Sequence, residues 1–398
     1  MYFSSEQLHI NQQRKEQQKV TQSETYKNAL DLIYLVSCAV NNYCPDAQRC
    51  AEMDDDAVYR LASMHMLSAA AAGALEKIMP LPQHWISAKG NAKRRLIIYQ
   101  AERTGIFNAF DERGIWYLPL KGIVLKDAYP EASMREMSDN DILCDATKMA
   151  EIKAVMKSMG FTCVEYGNLH HDVYHKKPVC FEIHSNLFNK VEHPELYAYY
   201  KTLAKRLIKD NNNRCGYHMT DEDFYIYCIN HMYKHFSNAG TGLRSLLDIY
   251  VINKAKGQTL DREYIAGELD LLGTREYESK TRQLAEKIFS LKPLTDSDKD
   301  DLSVYIYSGV YGTKEQMIAK RLGNDSSKKN KRRYILRRIF PDKRDVELYY
   351  PAVHRHKVLY PLLVVYRPFR GLVKHRKNLV EEFKSVRKYN QPGDTDKK

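Results

Sequence analysis

The chain has 398 residues, of which 43% are hydrophobic and 28% charged, so it is neither a disordered nor a fibrous protein and can form two or three domains. Its apolar runs are far shorter than the ~20 residues that span a bilayer. The net charge of +12 is concentrated in residues 314–398, which contain 24 Lys/Arg and 9 Asp/Glu. The first residues lack the apolar core of a signal peptide, and eight cysteines occur singly, without CxxC pairs. We therefore expect a cytoplasmic protein with reduced thiols.

The sequence of the N-terminal third is typical of helices. Residues 1–23 are polar and rich in Gln, which favours a loose leader. Apolar residues then recur at helical spacing and predict a first helix ending near Asn41. Acidic residues 54–56 precede a second helix over residues 57–79, and Gly114 follows a third over residues 84–112. Residues 24–114 are therefore predicted to form a helical region.

The hydrophobic period changes after Gly114. A Lys121-Gly122 turn leads into a short helical stretch, and Asp145 precedes a helix that ends at Gly160. A Lys177-Pro178 turn predicts a hairpin between the last two strands. The predicted strands are residues 116–120, 137–144, 162–166, 171–175 and 179–187. Residues 115–190 are thus predicted to form a small α/β core.

The rest of the chain again has helical periodicity. Residues 191–312 are predicted as a helical domain, and residues 313–398 as a basic extension. Pro361 and Pro368 are expected to break any long helix in that extension. Residues 328–388 are candidates for contact with nucleic acid or an anionic membrane surface, and a solvated cationic face is the alternative.

Three acidic residues predict a metal site. Asp139 and Asp141 are spaced i, i+2 in a predicted strand, so both side chains point to one face. Glu182 lies in another predicted strand, with His184 on the same face. Carboxylates from two neighbouring strands can hold Mg²⁺ or Mn²⁺, and a pair of such ions assists phosphoryl transfer. The alternative is a set of solvated acids at strand ends.

The order of the motifs carries further information. A Lys-Gly pair follows a strand, and Tyr-Pro, an Arg, Asp-x-Asp, a helix ending in Gly-Phe and Glu-Ile-His come next. This series, over residues 85–260, resembles the uncharacterised bacterial nucleotidyltransferase family of the DNA polymerase β superfamily. The resemblance implies an α/β (α+β) fold: a small mixed-sheet palm between N-terminal and C-terminal helical regions. It also implies transfer of a nucleoside monophosphate from a nucleoside triphosphate, with two metal ions.

The resemblance assigns roles to particular residues. Asp139, Asp141 and Glu182 would be the catalytic metal ligands, and Glu182 would help to activate an acceptor hydroxyl. Six residues would contact the nucleotide: Lys121, Gly122, Arg135, His184, His231 and Arg244. The alternatives are a plain turn at Lys121-Gly122, a surface salt bridge at Arg135 and a hydrogen-bonded core histidine at His184.

Further predictions concern the helical segment after the sheet. His231 or His235, followed by Arg244 and Asp248, matches the family order, and His231 is expected to face the cleft. The segment HMYKH lacks the Glu of a zinc protease motif, so no such site is expected. Arg244 and Asp248 would fix the helical domain against the sheet, with simple interhelical ion pairing as the alternative.

Two departures from the family pattern favour a rival interpretation. Asn140 replaces the usual apolar residue between the acids, so its amide needs partners inside the sheet core. Lys121-Gly122 replaces the usual Gly-Ser. The rival is a degenerate protein that acts through its basic extension. The acceptor, whether RNA, saccharide, protein or small molecule, stays open.

Overall fold

The computed structural model describes residues 5–167, 170–309, 317–318, 322, 327–374, 383 and 385–386. Within these ranges, helices surround one small sheet, which confirms the predicted α/β class. None of the helices in the described ranges is long and apolar enough to cross a membrane. All eight cysteines are free.

Five helices precede the sheet. They are α1 (Ser5–Asn41), α2 (Ala47–Ala51), α3 (Asp55–His65), α4 (Ser68–Leu75) and α5 (Gln83–Glu112). Asp54 caps α3, because its carboxylate accepts a hydrogen bond from the Ala57 amide at 2.9 Å. The core of this region combines side chains from α1, α3 and α4 with side chains from residues 243–251 and 284–306, which come after the sheet in the chain.

The sheet has five strands: β1 (Tyr117–Pro119), β2 (Asn140–Cys144), β3 (Thr162–Glu165), β4 (His171–Lys176) and β5 (Val179–His184). Their spatial order is β1-β2-β5-β4-β3. Only β2 and β5 pair in parallel, and the other three pairs are antiparallel. The predicted hairpin at Lys177-Pro178 joins β4 to β5 and is confirmed.

Short helices connect the strands. After β1 come α6 (Gly122–Leu125) and two 3₁₀ turns, and α7 (Met149–Ser158) lies between β2 and β3. One face of the sheet packs on α5 and α7 through Ile142, Ile183 and Phe181, all of which are fully buried. The opposite face is covered in part by the helices that follow the sheet.

The chain continues with α8 (Pro194–Tyr200), a two-stranded hairpin of β6 (Ile208–Lys209) and β7 (Tyr217–His218), and five helices. These helices are α9 (Asp221–Asn238), α10 (Leu243–Lys256), α11 (Arg262–Leu271), α12 (Arg275–Phe289) and α13 (Asp296–Ile306). In the basic extension the structure has helices at Lys328–Ile339, Lys343–Tyr349, Pro351–Arg355 and Tyr360–Lys374.

Three local predictions need correction. The leader is helical from Ser5, because its Gln, Glu and Lys residues are good helix formers even without an apolar stripe. The predicted second helix is divided at Met66, whose left-handed backbone (φ 53°) separates α3 from α4. The helix Tyr360–Lys374 continues through Pro368, whereas Pro361 lies in its first turn, where no amide donor is needed.

Candidate active site

Two acidic residues face each other on the central strands. Asp141 of β2 lies directly opposite Glu182 of β5 in the parallel register. Side chains alternate along a strand, so their neighbours Ile142 and Ile183 point to the other face and are fully buried there. The two carboxylates therefore lie on the sheet face that α9 overlooks.

A lysine and a histidine neutralise these carboxylates. The Lys121 ammonium lies 2.5 Å from Asp141 Oδ1, and His184 Nε2 donates to the same oxygen at 2.9 Å. His184 Nε2 is also 3.6 Å from the Glu182 carboxylate. Ligand atoms of Asp141, Glu182 and His184 all lie within 4.8 Å of one another, so these three residues could hold a metal ion.

The ionisation states follow from this arrangement. Burial alone would raise the pKa of Asp141, but the Lys121 ammonium and the His184 hydrogen bond hold that pKa well below its usual range. Burial would raise the pKa of Glu182, but His184 and the Lys121 ammonium together lower it. The pKa of His184 is raised against its burial by the hydrogen bond to Asp141. The cluster is therefore a network of opposite charges.

Asp139 lies one residue before β2, not inside the strand. It lines the same cavity as Asp141 and Glu182. Burial and the negative charge of Asp141 raise the pKa of Asp139. A carboxylate in such surroundings gains from a nearby cation, so Asp139 is a suitable further ligand.

The Lys121-Gly122 turn has a tightly packed backbone. Lys121 adopts φ 45° and ψ −122°, which is unusual for a residue with a Cβ. A Cβ on Gly122 would lie 3.0 Å from the Met137 side chain, so any larger residue here would need that side chain to shift. The turn holds the Lys121 ammonium beside Asp141, while the predicted contact of this turn with a triphosphate stays a prediction.

Helix α9 supplies two histidines to the wall opposite the sheet. His231 and His235 are one turn apart, and their Nε2 atoms are 3.2 Å from each other. Burial lowers the pKa of His235 to about 4 and that of His231 well below its usual range. Both rings are therefore neutral at pH 7. The expectation that His231 faces the cleft is confirmed, since it lines the cavity.

Helix α10 is tied to the segment before β2 by a buried ion pair. Arg135 Nε donates to Asp248 Oδ1 at 2.6 Å, and the Tyr129 hydroxyl donates to the same oxygen at 2.6 Å. Arg244 donates to the Glu136 carbonyl oxygen at 3.2 Å. Through these contacts Arg244 and Asp248 hold α10 against the segment that precedes β2. Arg135 is thus in a buried rather than a surface salt bridge.

A cavity of about 200 Å³ lies between the sheet and helices α9 and α10. Side chains from both halves of the chain line this cavity. Eight of the nine predicted site residues line it, namely Lys121, Gly122, Arg135, Asp139, Asp141, Glu182, His231 and Arg244. The ninth, His184, supports Asp141 and is 4% exposed. Residues up to 123 positions apart in the sequence therefore converge at one place.

The buried Asn140 has the partners that its position requires. Arg103 of α5 donates from Nη1 to Asn140 Oδ1 at 2.8 Å, and Asn140 Nδ2 donates to the Asp139 carbonyl oxygen at 2.9 Å. Asn140 is completely buried, and β2 is not displaced. The sequence contains a signal for Arg103, because it is the charged member of a buried stripe with Tyr99, Ile106 and Phe110.

A second cavity, which the sequence did not predict, adjoins the first at His235. It measures about 540 Å³ and lies between α9 and the basic extension. Its lining includes the cationic residues Lys234, Arg333, Arg337 and Arg344. Burial and the charge of Lys121 lower the pKa of Lys234. Nothing in the local sequence around Lys234 indicates that it lines a cavity.

A family model described as an uncharacterised nucleotidyltransferase matches residues 51–290, which is more than half of the chain. This chain belongs to that nucleotidyltransferase family. The match includes the whole sheet and helices α9 and α10, so every predicted site residue lies inside it. It confirms the resemblance and extends beyond the 85–260 range on both sides. No curated protein and no solved structure matches the chain.

Family membership supports nucleotidyl transfer as the general activity. The basic extension, residues 313–398, lies outside the matched range. The sheet and helices α9 and α10 therefore lie in the part of the chain that the family shares.

Proposed function

We propose that this nucleotidyltransferase transfers a nucleoside monophosphate from a nucleoside triphosphate to a hydroxyl acceptor, with Mg²⁺ or Mn²⁺ held by Asp139, Asp141 and Glu182. The observation that carries the proposal is the pairing of Asp141 with Glu182 across two parallel strands, facing a cavity. Two carboxylates from different strands, with a third beside them, offer the oxygen donors that Mg²⁺ prefers.

The residues present fit such an ion. Carboxylate oxygens of Asp141 and Glu182 are close enough for one ion to touch both. Their negative charge is balanced in this structure by Lys121, whose ammonium contacts Asp141. When bound, the divalent ion supplies positive charge against the triphosphate and the departing pyrophosphate. With an ion on Asp141, the Lys121 ammonium would be available to place its charge beside a phosphate oxygen.

The chain's own residues have distinct tasks in the transfer. The acceptor oxygen forms a bond to the α-phosphorus while the bond from that phosphorus to the bridging oxygen breaks, and pyrophosphate leaves. Glu182 takes the proton of the acceptor hydroxyl. His184 keeps Asp141 oriented through its 2.9 Å hydrogen bond. The neutral rings of His231 and His235 offer hydrogen bonds without adding charge.

Calorimetry with each of the four nucleoside triphosphates, with and without Mg²⁺, tests this proposal. The decisive variant is Asp141→Asn with Glu182→Gln, which keeps shape but removes two charges. Its matched control is Glu112→Gln with Glu276→Gln, which removes two charges from exposed positions. We expect metal-dependent binding of a triphosphate by wild type and control, and none by the site variant. Undiminished binding by that variant would refute the metal site.

The second candidate function is binding of a polyanion, such as an RNA acceptor, by the basic extension. It is favoured by the lining of the larger cavity, in which five Lys/Arg outnumber three Asp/Glu, and this cavity shares His235 with the smaller one. Fluorescence anisotropy of a labelled RNA oligonucleotide over a range of KCl concentrations tests it. Binding should weaken steeply with salt and with Arg333→Ala plus Arg337→Ala. Binding that these changes leave unaltered would eliminate this role.

A further inference from the structure

The helix Tyr360–Lys374 turns an apolar face to solvent. Leu362, Val365, Tyr366 and Phe369 are 67%, 73%, 53% and 67% exposed, respectively. At about 100° per residue, these four side chains fall within one arc of roughly 100° around the helix. A surface helix of a globular protein normally turns its polar side outward, so this face is arranged for contact with something apolar.

The exposure does not come from a detached helix. Leu363, about 110° around the helix from the centre of this face, is only 4% exposed. The Tyr360 hydroxyl donates to the Pro341 carbonyl oxygen at 3.0 Å, and Arg367 Nη1 lies 4.0 Å from the Asp345 carboxylate. The inner side of the helix is therefore docked on the rest of the extension, and this docking fixes which side points outward.

The charge around this helix indicates the kind of partner. Residues 348–380 contain seven Lys/Arg and no Asp or Glu. Arg355 and Lys357 are exposed immediately before the helix, and Val358 beside them is 84% exposed. Although Asp345 pairs with Arg367, the other Lys/Arg of residues 348–380 leave this region positive, and an apolar face in a positive region complements a surface with an apolar interior and anionic groups above it. A second copy of this chain would instead bring like charges together.

We propose that this apolar face binds an anionic lipid bilayer, with the helix lying flat in the headgroup region. At 1.5 Å per residue its 15 residues extend about 22 Å, which is less than the ~30 Å of a bilayer core. The basic residues then meet the lipid phosphates while Leu362, Val365 and Phe369 enter the acyl boundary. This contact is independent of the nucleotidyl transfer proposed above, because it uses residues outside the matched range.

Vesicle flotation with the full chain tests the proposal. One set of vesicles is phosphatidylcholine and the other is phosphatidylcholine mixed with phosphatidylglycerol. The variant Val365→Glu with Phe369→Glu places two negative charges in the apolar face. Its control is Ile97→Glu with Leu271→Glu, at residues that are 59% and 72% exposed on other helices. Far-UV circular dichroism and thermal unfolding check that all proteins are folded.

We expect the wild type and the control to float with the anionic vesicles, and the variant to lose at least about tenfold in partitioning. Raised salt should weaken the flotation of the wild type. The proposal is overturned if the variant floats as well as the wild type. It is also overturned if the wild type floats equally with both sets of vesicles or does not float with either. A change from oligomer to monomer on substituting the apolar face, seen by light scattering, would assign it to a second copy and also overturn the proposal.

Discussion

The hydrogen bond between Arg103 and Asn140 supports the strand that carries Asp141. Both residues are buried, and their atoms are 2.8 Å apart. Burial lowers the pKa of Arg103, so the guanidinium depends on its acceptor in place of water. A hydrogen bond to a charged group contributes about 1.5–3 kcal/mol to the free energy of unfolding. The two partners should therefore be energetically coupled.

A double-mutant cycle measures this coupling. Arg103→Met leaves the Asn140 amide oxygen without its donor and should cost about 2 kcal/mol. Asn140→Leu leaves a buried guanidinium without its acceptor and should cost about 3 kcal/mol or more. The double variant replaces both groups with apolar side chains of similar size and should cost only about 1–2 kcal/mol. The interaction energy is then about 3 kcal/mol.

The assay is urea unfolding, followed by far-UV circular dichroism and tryptophan fluorescence, with coincident transitions required for a two-state treatment. Arg113→Met serves as the control, because Arg113 is exposed and its loss should change the free energy of unfolding by less than about 0.5 kcal/mol. If the loss in free energy of unfolding of the double variant equals the sum of the losses of the two single variants, the coupling is refuted.

Three further predictions concern other parts of the molecule. Burial lowers the pKa of His65 from 6.5 to about 4, so the folded state binds fewer protons than the unfolded state between these pH values. The free energy of unfolding should therefore fall by up to ~3 kcal/mol as the pH drops from 6.5 to 4. Thermal unfolding should show a smaller fall in the His65→Gln variant. A Cβ on Gly242 would lie 2.5 Å from His65 and 2.7 Å from a backbone oxygen, so Gly242→Ala should lower the midpoint of unfolding, whereas Gly90→Ala, in open space within α5, should raise it. Lys121→Met should raise the affinity for Mg²⁺, because Asp141 loses its competing cation, and should lower the affinity for the triphosphate. Calorimetry measures both affinities. If the two affinities change equally and in the same direction, the role of Lys121 is contradicted.

Much of the site could be predicted because its signals are local. Asp141 alternates with the apolar Ile142, and Glu182 alternates with the apolar Ile183. Each acid is thereby assigned to the polar face of its own strand before any strand pairing is known. The hairpin at Lys177-Pro178 and the cap at Asp54 also depend on residues only a few positions apart. Local signals, such as the hydrophobic period of two residues in strands and 3.6 residues in helices, were therefore sufficient to predict these elements.

Other features depend on contacts between distant segments. Met66 divides a stretch that has helical periodicity throughout, and the helix Tyr360–Lys374 continues through Pro368, a residue that locally disfavours it. Tertiary packing can outweigh propensities of about 1–3 kcal/mol per residue. A single sequence contains no measure of that packing, so these boundaries were not predictable.

Neighbouring residues alone were enough to predict the α/β class, the family and the faces of the strands on which Asp141 and Glu182 lie, because hydrophobic period and motif order are local properties. The tertiary structure brings the Lys121 ammonium to Asp141 and Arg103 to Asn140, 37 positions away. It also decided that Arg135 pairs with Asp248 rather than with solvent. The physical reason is that a buried charge or amide must find its partner in space, and that partner is selected by the packing of whole elements.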